Sequence, residues 1–291
     1  MHVLISCKTT NLDVHGESIK RKIAHGFLSE DHLERLVLDH EKHHKCRRML
    51  LELLDHHQIS YIEVHRGRYW PDLSKVDAVI SVGGDGTVLE ASHHVHNQDI
   101  PVLGVRSSSM SVGYLCTCDI NSLEPYIKQL ATGKPKVSKL CRLQARIQYA
   151  ETGREILSDP ILNDFLFSNR NPAATTRYIF QVGKEKERQK SSGIWLATAA
   201  GSTAAIRTAG GMQVDRNSQE FQYVVREPYT PPGAEAFKLQ KGFFSATDES
   251  VKIENFCEHA TLALDGQHGQ LKLTFGDTLT FLRASDLSLI V

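Results

Sequence analysis

The first part of the chain switches repeatedly between short apolar runs and longer helix-like stretches. Val3–Ser6, Ser60–Val64, Val76–Val82 and Ile100–Val105 read as strands, and Glu30–Asp55, Thr87–Val95 and Asn121–Leu130 as helices. That order predicts a parallel sheet with flanking helices, its functional loops at the strands' carboxyl ends. Gly133-Lys134-Pro135 reads as a linker.

After Lys136 the texture changes. Short alternating runs appear at Leu143–Ile147, Tyr178–Val182, Val251–Ile253, Thr261–Leu264 and Leu271–Phe275, separated by Gly, Asp and Pro turns. One exception is Ser202–Ala209, small-residue-rich and read as helical. The expected architecture is therefore an α/β domain over residues 1–133 and a β-rich domain over 134–276. Residues 277–291 are expected to return to the first domain, with Asp286–Val291 as a strand.

Charge narrows the partners. Lys plus Arg and Asp plus Glu stand at 34 each, so no global basic field points to nucleic acid. No apolar stretch is long enough to span a bilayer, and the six cysteines form no disulfide framework. Cys116-Thr117-Cys118 lacks the spacer of a redox or zinc pair, so free thiols are expected. The chain reads as soluble, with the cytoplasm as its default compartment.

The chemistry concentrates in four segments. Gly83-Gly84-Asp85-Gly86-Thr87 follows a strand directly, and its glycines let backbone N–H groups approach a phosphate. An acid inside such a loop, Asp85, would repel phosphate unless it oriented a hydroxyl, took its proton or helped place Mg²⁺. Neither a Walker-type loop nor a Rossmann fingerprint is present. Asn163-Asp164 lies between apolar flanks, a carboxamide and a carboxylate suited to ribose hydroxyls and an adenine edge. Gly201-Ser202-Thr203-Ala204 places hydroxyls and free amides where a helix would begin. Asp265-Gly266-Gln267, in isolation, reads only as a hairpin turn.

In order and rough spacing these segments resemble the NAD kinase family, from about Val76 to Gln267. Finer wording, including Leu162-Asn163-Asp164, Thr198–Ala205 and Val225-Arg226-Glu227-Pro228, is most similar to the plant-type NADH kinase branch. The resemblance implies an α/β domain plus a β-rich domain, ATP with Mg²⁺ as donor, and the adenosine 2′-hydroxyl of NAD(H) as acceptor. It also implies a homo-oligomer, dimer or tetramer. It makes Asp85 the general base or hydroxyl-orienting acid, and Gly83, Gly84, Gly86 and Thr87 the phosphate loop. It carries NAD binding to Asn163, Asp164, Ser192, Thr203, Ala204, Ala205 and Thr208, and assigns no resident metal ligand.

Departures from the family pattern sharpen the reading. Ser192 precedes Gly193 where family members carry an acid facing the nicotinamide end. Loss of that charge should erase a preference for the cationic NAD⁺ ring, so NADH is expected to serve at least as well. Asp164 replaces Glu, Ala205 replaces an aromatic, and the Arg106–Ser111 stretch replaces an asparagine-glycine loop. Two rival functions share the glycine-aspartate loop: a diacylglycerol- or sphingosine-type lipid kinase, and a catalytically silent NAD(P) sensor.

His40-Glu41-Lys42-His43-His44 matches the zincin spacing on a predicted helix. Lys42, Lys45, Arg47 and Arg48 crowd it with cations. The expectation is a charged, solvated helix rather than a catalytic zinc site.

Overall fold

A computed structural model of the chain describes residues 1–65, 67, 69–96, 99–233, 235–246 and 251–291. The chain divides into two compact units, Met1–Ser138 with Ser288–Val291, and Lys139–Leu287.

The first unit runs β1 (His2–Cys7), α1 (Asn11–Ala24), α2 (Glu30–His56), β2 (Ser60–His65), β3 (Ala78–Gly83), α3 (Asp85–His94), β4 (Val102–Arg106), β5 (Cys118–Asp119) and α4 (Leu123–Ala131). Its strands are parallel in the order β2-β1-β3-β4, the arrangement that alternating strand and helix runs predict. Leu289, near the chain's end, pairs in parallel with Val102, so the apolar tail joins this sheet. Ile5, Ile80, Val82 and Leu103 of the sheet pack with Leu50 and Leu54 of α2 and Ile127 and Leu130 of α4 in one core.

Helix α1 carries no apolar stripe that a sequence could announce, because only Ile19 of its fourteen residues is buried. A reciprocal capping box fixes its start: Thr10 accepts from the Asp13 amide, and the Asp13 carboxylate accepts from the Thr10 amide. Helix α3 begins at Asp85, two residues ahead of the Thr87 expected from hydropathy, since the glycine loop itself turns into the helix.

The second unit continues with β6 (Val137–Gln148), β7 (Glu155–Leu157), β8 (Asp164–Asn169), β9 (Thr176–Val182), β10 (Glu185–Ser191), β11 (Gly193–Ala197), the one-turn helix α5 (Ala205–Thr208), β12 (Phe221–Arg226), β13 (Lys241–Phe244), β14 (Val251–Asn255), β15 (Ala260–Leu264), β16 (Gly269–Leu273) and β17 (Thr278–Ile290). One antiparallel sheet runs β13-β12-β11-β8-β15-β16 and another run of strands is β10-β9-β14-β17. Their inner faces close on an aromatic core, with Phe165 against Phe281 at 5.7 Å, Phe167 against Tyr178 at 5.6 Å and Phe180 against Tyr223 at 5.0 Å between ring centroids.

The expected helix over Ser202–Ala209 is instead two pieces, a 3-10 turn over Ala200–Thr203 and then α5. Ala204 separates them with an extended backbone, φ −80° and ψ −151°. No side chain caps α5, so nothing local stabilises a longer helix.

Candidate active site

In the order β2-β1-β3-β4 the chain leaves β1 and β3 toward opposite sides, the switch point at which open parallel sheets bind ligands. A cleft of ≈ 520 Å³ opens there. Lys8, directly after β1, and Gly83–Thr87, which close β3 and open α3, line it together with Ser107, Ser108 and Ser111 from the loop after β4. Helix α2 contributes His32, Arg35 and Asp39.

The glycine loop is shaped by close approach. A Cβ on Gly83 would strike Thr87 Oγ1, and one on Gly84 would strike Ser111 Oγ. Gly84 is the N-cap of α3 and offers no side-chain cap, leaving the helix's first amides for an anion. The loop positions named from sequence, Gly83, Gly84, Gly86 and Thr87, all lie in this one cleft with Asp85.

Asp85 is held by backbone. Leu115 N donates to its Oδ1 at 2.7 Å, while Tyr114 N and Gly113 N donate to its Oδ2 at 3.1 and 3.2 Å. A carboxylate offers roughly four lone-pair sites, so about one remains for a ligand or proton. These contacts fix where the acid points.

Around it the polar groups are organised in pairs. Lys8 Nζ donates to Asp39 Oδ2 at 2.6 Å. Burial acts to raise the Asp39 carboxyl, but hydrogen bonds from Lys8 and Ser108 outweigh it and hold the group below its ordinary value. His43 is buried with Nδ1 2.9 Å from Ser107 Oγ. Burial, with the nearby His44 and Lys8, pushes it down to about 4, so it stays neutral at pH 7. Sequence reading missed Lys8, Arg35 and the three serines. The available signal was position, since Lys8 and Ser107 immediately follow parallel strands.

The second unit gathers the other segments. Asp265 stands at the turn joining β15 to β16 with φ +44°. Its role exceeds the simple hairpin turn expected: its carboxylate accepts from the amides of Asn163 at 2.7 Å and of Leu162 and Asp164 at 3.0 Å. Thr198 N donates to the Asn163 carbonyl at 2.9 Å, and the Gly201 amide donates to Thr198 Oγ1 at 3.1 Å. A Cβ on Gly201 would strike the Asn163 carbonyl. The pair Asn163-Asp164, Gly201 and Asp265, three places far apart in sequence, thus form one cluster.

The Asp164 side chain is almost wholly buried, and no hydrogen bond among the described residues reaches its carboxylate. Burial first, and the Asp265 charge second, push its pKa up to about 7. Thr203 and Ala204 follow Gly201 and are half-buried, whereas Ala205 and Thr208 are exposed, and Thr208 Oγ1 turns back to the Ala205 carbonyl at 2.9 Å. Ser192 lies away from this cluster. It precedes β11, whose far end pairs Ala197 with Asp164, a separation of about 16 Å along the strand. There the Ser192 amide donates to the Arg226 carbonyl at 2.9 Å.

The family model described as the ATP-NAD kinase N-terminal domain matches residues 39–134. A protein named probable NADH kinase from Oryza sativa subsp. japonica is 31% identical over 259 residues, covering 81% of this chain and 77% of that protein. The chain belongs to the NAD kinase family. Two solved structures share its fold. One is an NAD kinase from Archaeoglobus fulgidus in complex with ATP, with TM-score 0.68, 19% identity and coverage of 100% of this chain and 94% of that one. The other is yeast NADH kinase complexed with NADH, with TM-score 0.69, 17% identity and coverage of 100% and 83%. All six cysteines of this family member are free, and none of its described helices is long and apolar enough to cross a membrane.

Proposed function

We propose that this chain phosphorylates the adenosine 2′-hydroxyl of NAD(H) with ATP, making NADP(H). The observation that carries the reading is Asp85, an acid pinned by three backbone amides inside an anion-accepting glycine loop at the sheet's switch point. Its remaining acceptor site takes the hydroxyl proton as the 2′-oxygen bonds to the γ-phosphorus and the bond to the ADP oxygen breaks. Free amides at the start of α3, with Lys8 and Arg35, neutralise the phosphates. Mg²⁺ arriving with ATP takes hard oxygen donors, which the phosphates themselves supply, since the one acceptor site left on Asp85 is given to the proton. That ion supplies charge neutralisation on the phosphates.

In the second unit, Asn163 and the unpartnered Asp164 carboxyl are read as the adenosine contacts, with Thr203 and Ala204 framing the base. Ala205 and Thr208 complete this reading as the outer, exposed members. Ser192, a strand length away, is read as facing the nicotinamide end, which supports use of NADH at least as well as NAD⁺. We also read the working enzyme as a cytoplasmic dimer or tetramer. The lipid-kinase and silent-sensor alternatives draw no support from these relatives.

The test is to incubate the purified chain with ATP–Mg²⁺ and either NAD⁺ or NADH and quantify NADP⁺ and NADPH, with Asp85→Asn alongside. Product from NADH at a rate matching or exceeding that from NAD⁺, and reduced about 10²–10⁴-fold in the variant, supports the reading. Absence of product from both acceptors overturns it.

A further inference from the structure

The His40–His44 pair set aside from sequence acquires a third ligand in the fold. Asp13, on α1, brings Oδ1 to 3.5 Å from His40 Nδ1 and to 3.4 Å from His44 Nε2. The three ligand atoms all lie within 4.8 Å of one another. In a tetrahedral zinc site, with bonds of about 2.05 Å, neighbouring ligand atoms stand about 3.3–3.4 Å apart. The two Asp13 distances already match such an edge.

Two of the four neighbouring cations are drawn away from the histidine pair in the fold. Lys42 Nζ donates to Ser109 Oγ at 3.0 Å, and Arg47 is paired bidentately with Glu63 at 2.5 Å, so both are engaged elsewhere. Meanwhile Thr10 aims the carboxylate. Its hydroxyl lies 2.7 Å, and its amide 2.9 Å, from Asp13 Oδ2, leaving Oδ1 turned to the histidines; the same hydroxyl is 2.8 Å from His40 Nδ1, a hydrogen bond that an ion would replace. The side chains of Asp13, His40 and His44 are about one-third exposed, so an ion has a path in and a water can complete the set.

We propose that Asp13, His40 and His44 form a zinc site that clips α1 to α2. Two imidazoles and one carboxylate suit zinc and select against Mg²⁺, which takes oxygen ligands. The clip joins two walls of the nucleotide cleft, since Asn11 at the start of α1 and Arg35 and Asp39 on α2 all line it. Its existence is independent of the kinase reading, because its test reads metal and stability rather than turnover.

The full chain, prepared without a histidine tag and stripped with chelator, is titrated with Zn²⁺ alone by calorimetry. One saturable site is expected, weakened at least about tenfold in Asp13→Asn, His40→Gln and His44→Gln. His44 is half-exposed and its polar contact is with Asp13 itself, so His44→Gln is the variant that leaves the fold intact. The double variant His56→Gln/His57→Gln, at the C-terminal end of α2 and outside the cluster, should bind as the parent does. Zinc should raise the melting temperature of the parent and not of His44→Gln. Absence of a one-to-one site, or equal binding by parent and His44→Gln, overturns the proposal.

Discussion

The Asp164 amide donates to Asp265 Oδ1 at 3.0 Å, so the carboxylate that anchors the Asp164 backbone also repels the charged form of the Asp164 side chain. Folding therefore holds Asp164 protonated up to about pH 7, whereas an exposed aspartate ionises near 3.8. Between those values the folded chain binds more protons than the unfolded one, so stability falls as pH rises from about 4 to about 7 and levels off above. The full effect is at most about 4 kcal/mol. Between pH 5 and pH 8 the urea unfolding free energy should shift further downward in the parent than in Asp164→Asn, the opposing contribution of His43, lowered to about 4, being common to both. An equal loss in both proteins would sink this account of the cluster.

Gly201 has a different constraint, since a methyl group there meets the Asn163 carbonyl, which is backbone and has no rotamer to turn aside. Gly201→Ala should therefore destabilise by about 3 kcal/mol, near the top of the ordinary range for single changes. Gly16 gives the contrast. It lies within α1, and a methyl group added there would meet nothing within 4 Å, so Gly16→Ala should stabilise by up to about 1 kcal/mol. The urea midpoints of the two variants should move in opposite directions.

The fold's first unit was legible because its strands are continuous apolar runs and its loops fall where parallel sheets place function, as Val76–Val82 leading into Gly83–Thr87 illustrates. The second unit was legible in class from its alternating runs. What the sequence hid were relations across long separations. Asp265 looks like turn chemistry until its carboxylate is seen holding amides more than 100 positions away. Asp13 could not be joined to the His40–His44 spacing because α1 has almost no buried stripe to announce it. Lys8 and Arg35 carry no motif of their own and become candidates only by converging on the glycine loop.

Lys8 is the most informative of those hidden residues. It pairs with Asp39 at 2.6 Å on the wall of the cleft, with its side chain 29% exposed, so its charge remains available to phosphate. Lys8→Met should raise the KM for ATP about 10–100-fold, the value of one or two hydrogen bonds to a charged group. The KM for NADH should change far less. A rise confined to the dinucleotide would remove Lys8 from the phosphate site.

On the proposed reading, the side chain at position 192 sets the balance between the two redox forms of the acceptor. Ser192 stands before Gly193, whose φ of +119° and whose packing against the Phe167 carbonyl leave the backbone there little freedom, so a side-chain change at 192 acts through charge. A carboxylate placed there would attract the positive nicotinamide ring of NAD⁺ and leave neutral NADH unaffected. At a partly screened distance this is worth on the order of 1 kcal/mol, or about fivefold in relative kcat/KM. Ser192→Asp should thus raise the NAD⁺-to-NADH ratio of kcat/KM about fivefold, and Ser192→Asn should leave it near the parent value. Because the effect is electrostatic at a half-exposed position, added salt should shrink it. An unchanged ratio in Ser192→Asp at low salt would place the nicotinamide ring elsewhere and remove the stated basis for NADH use.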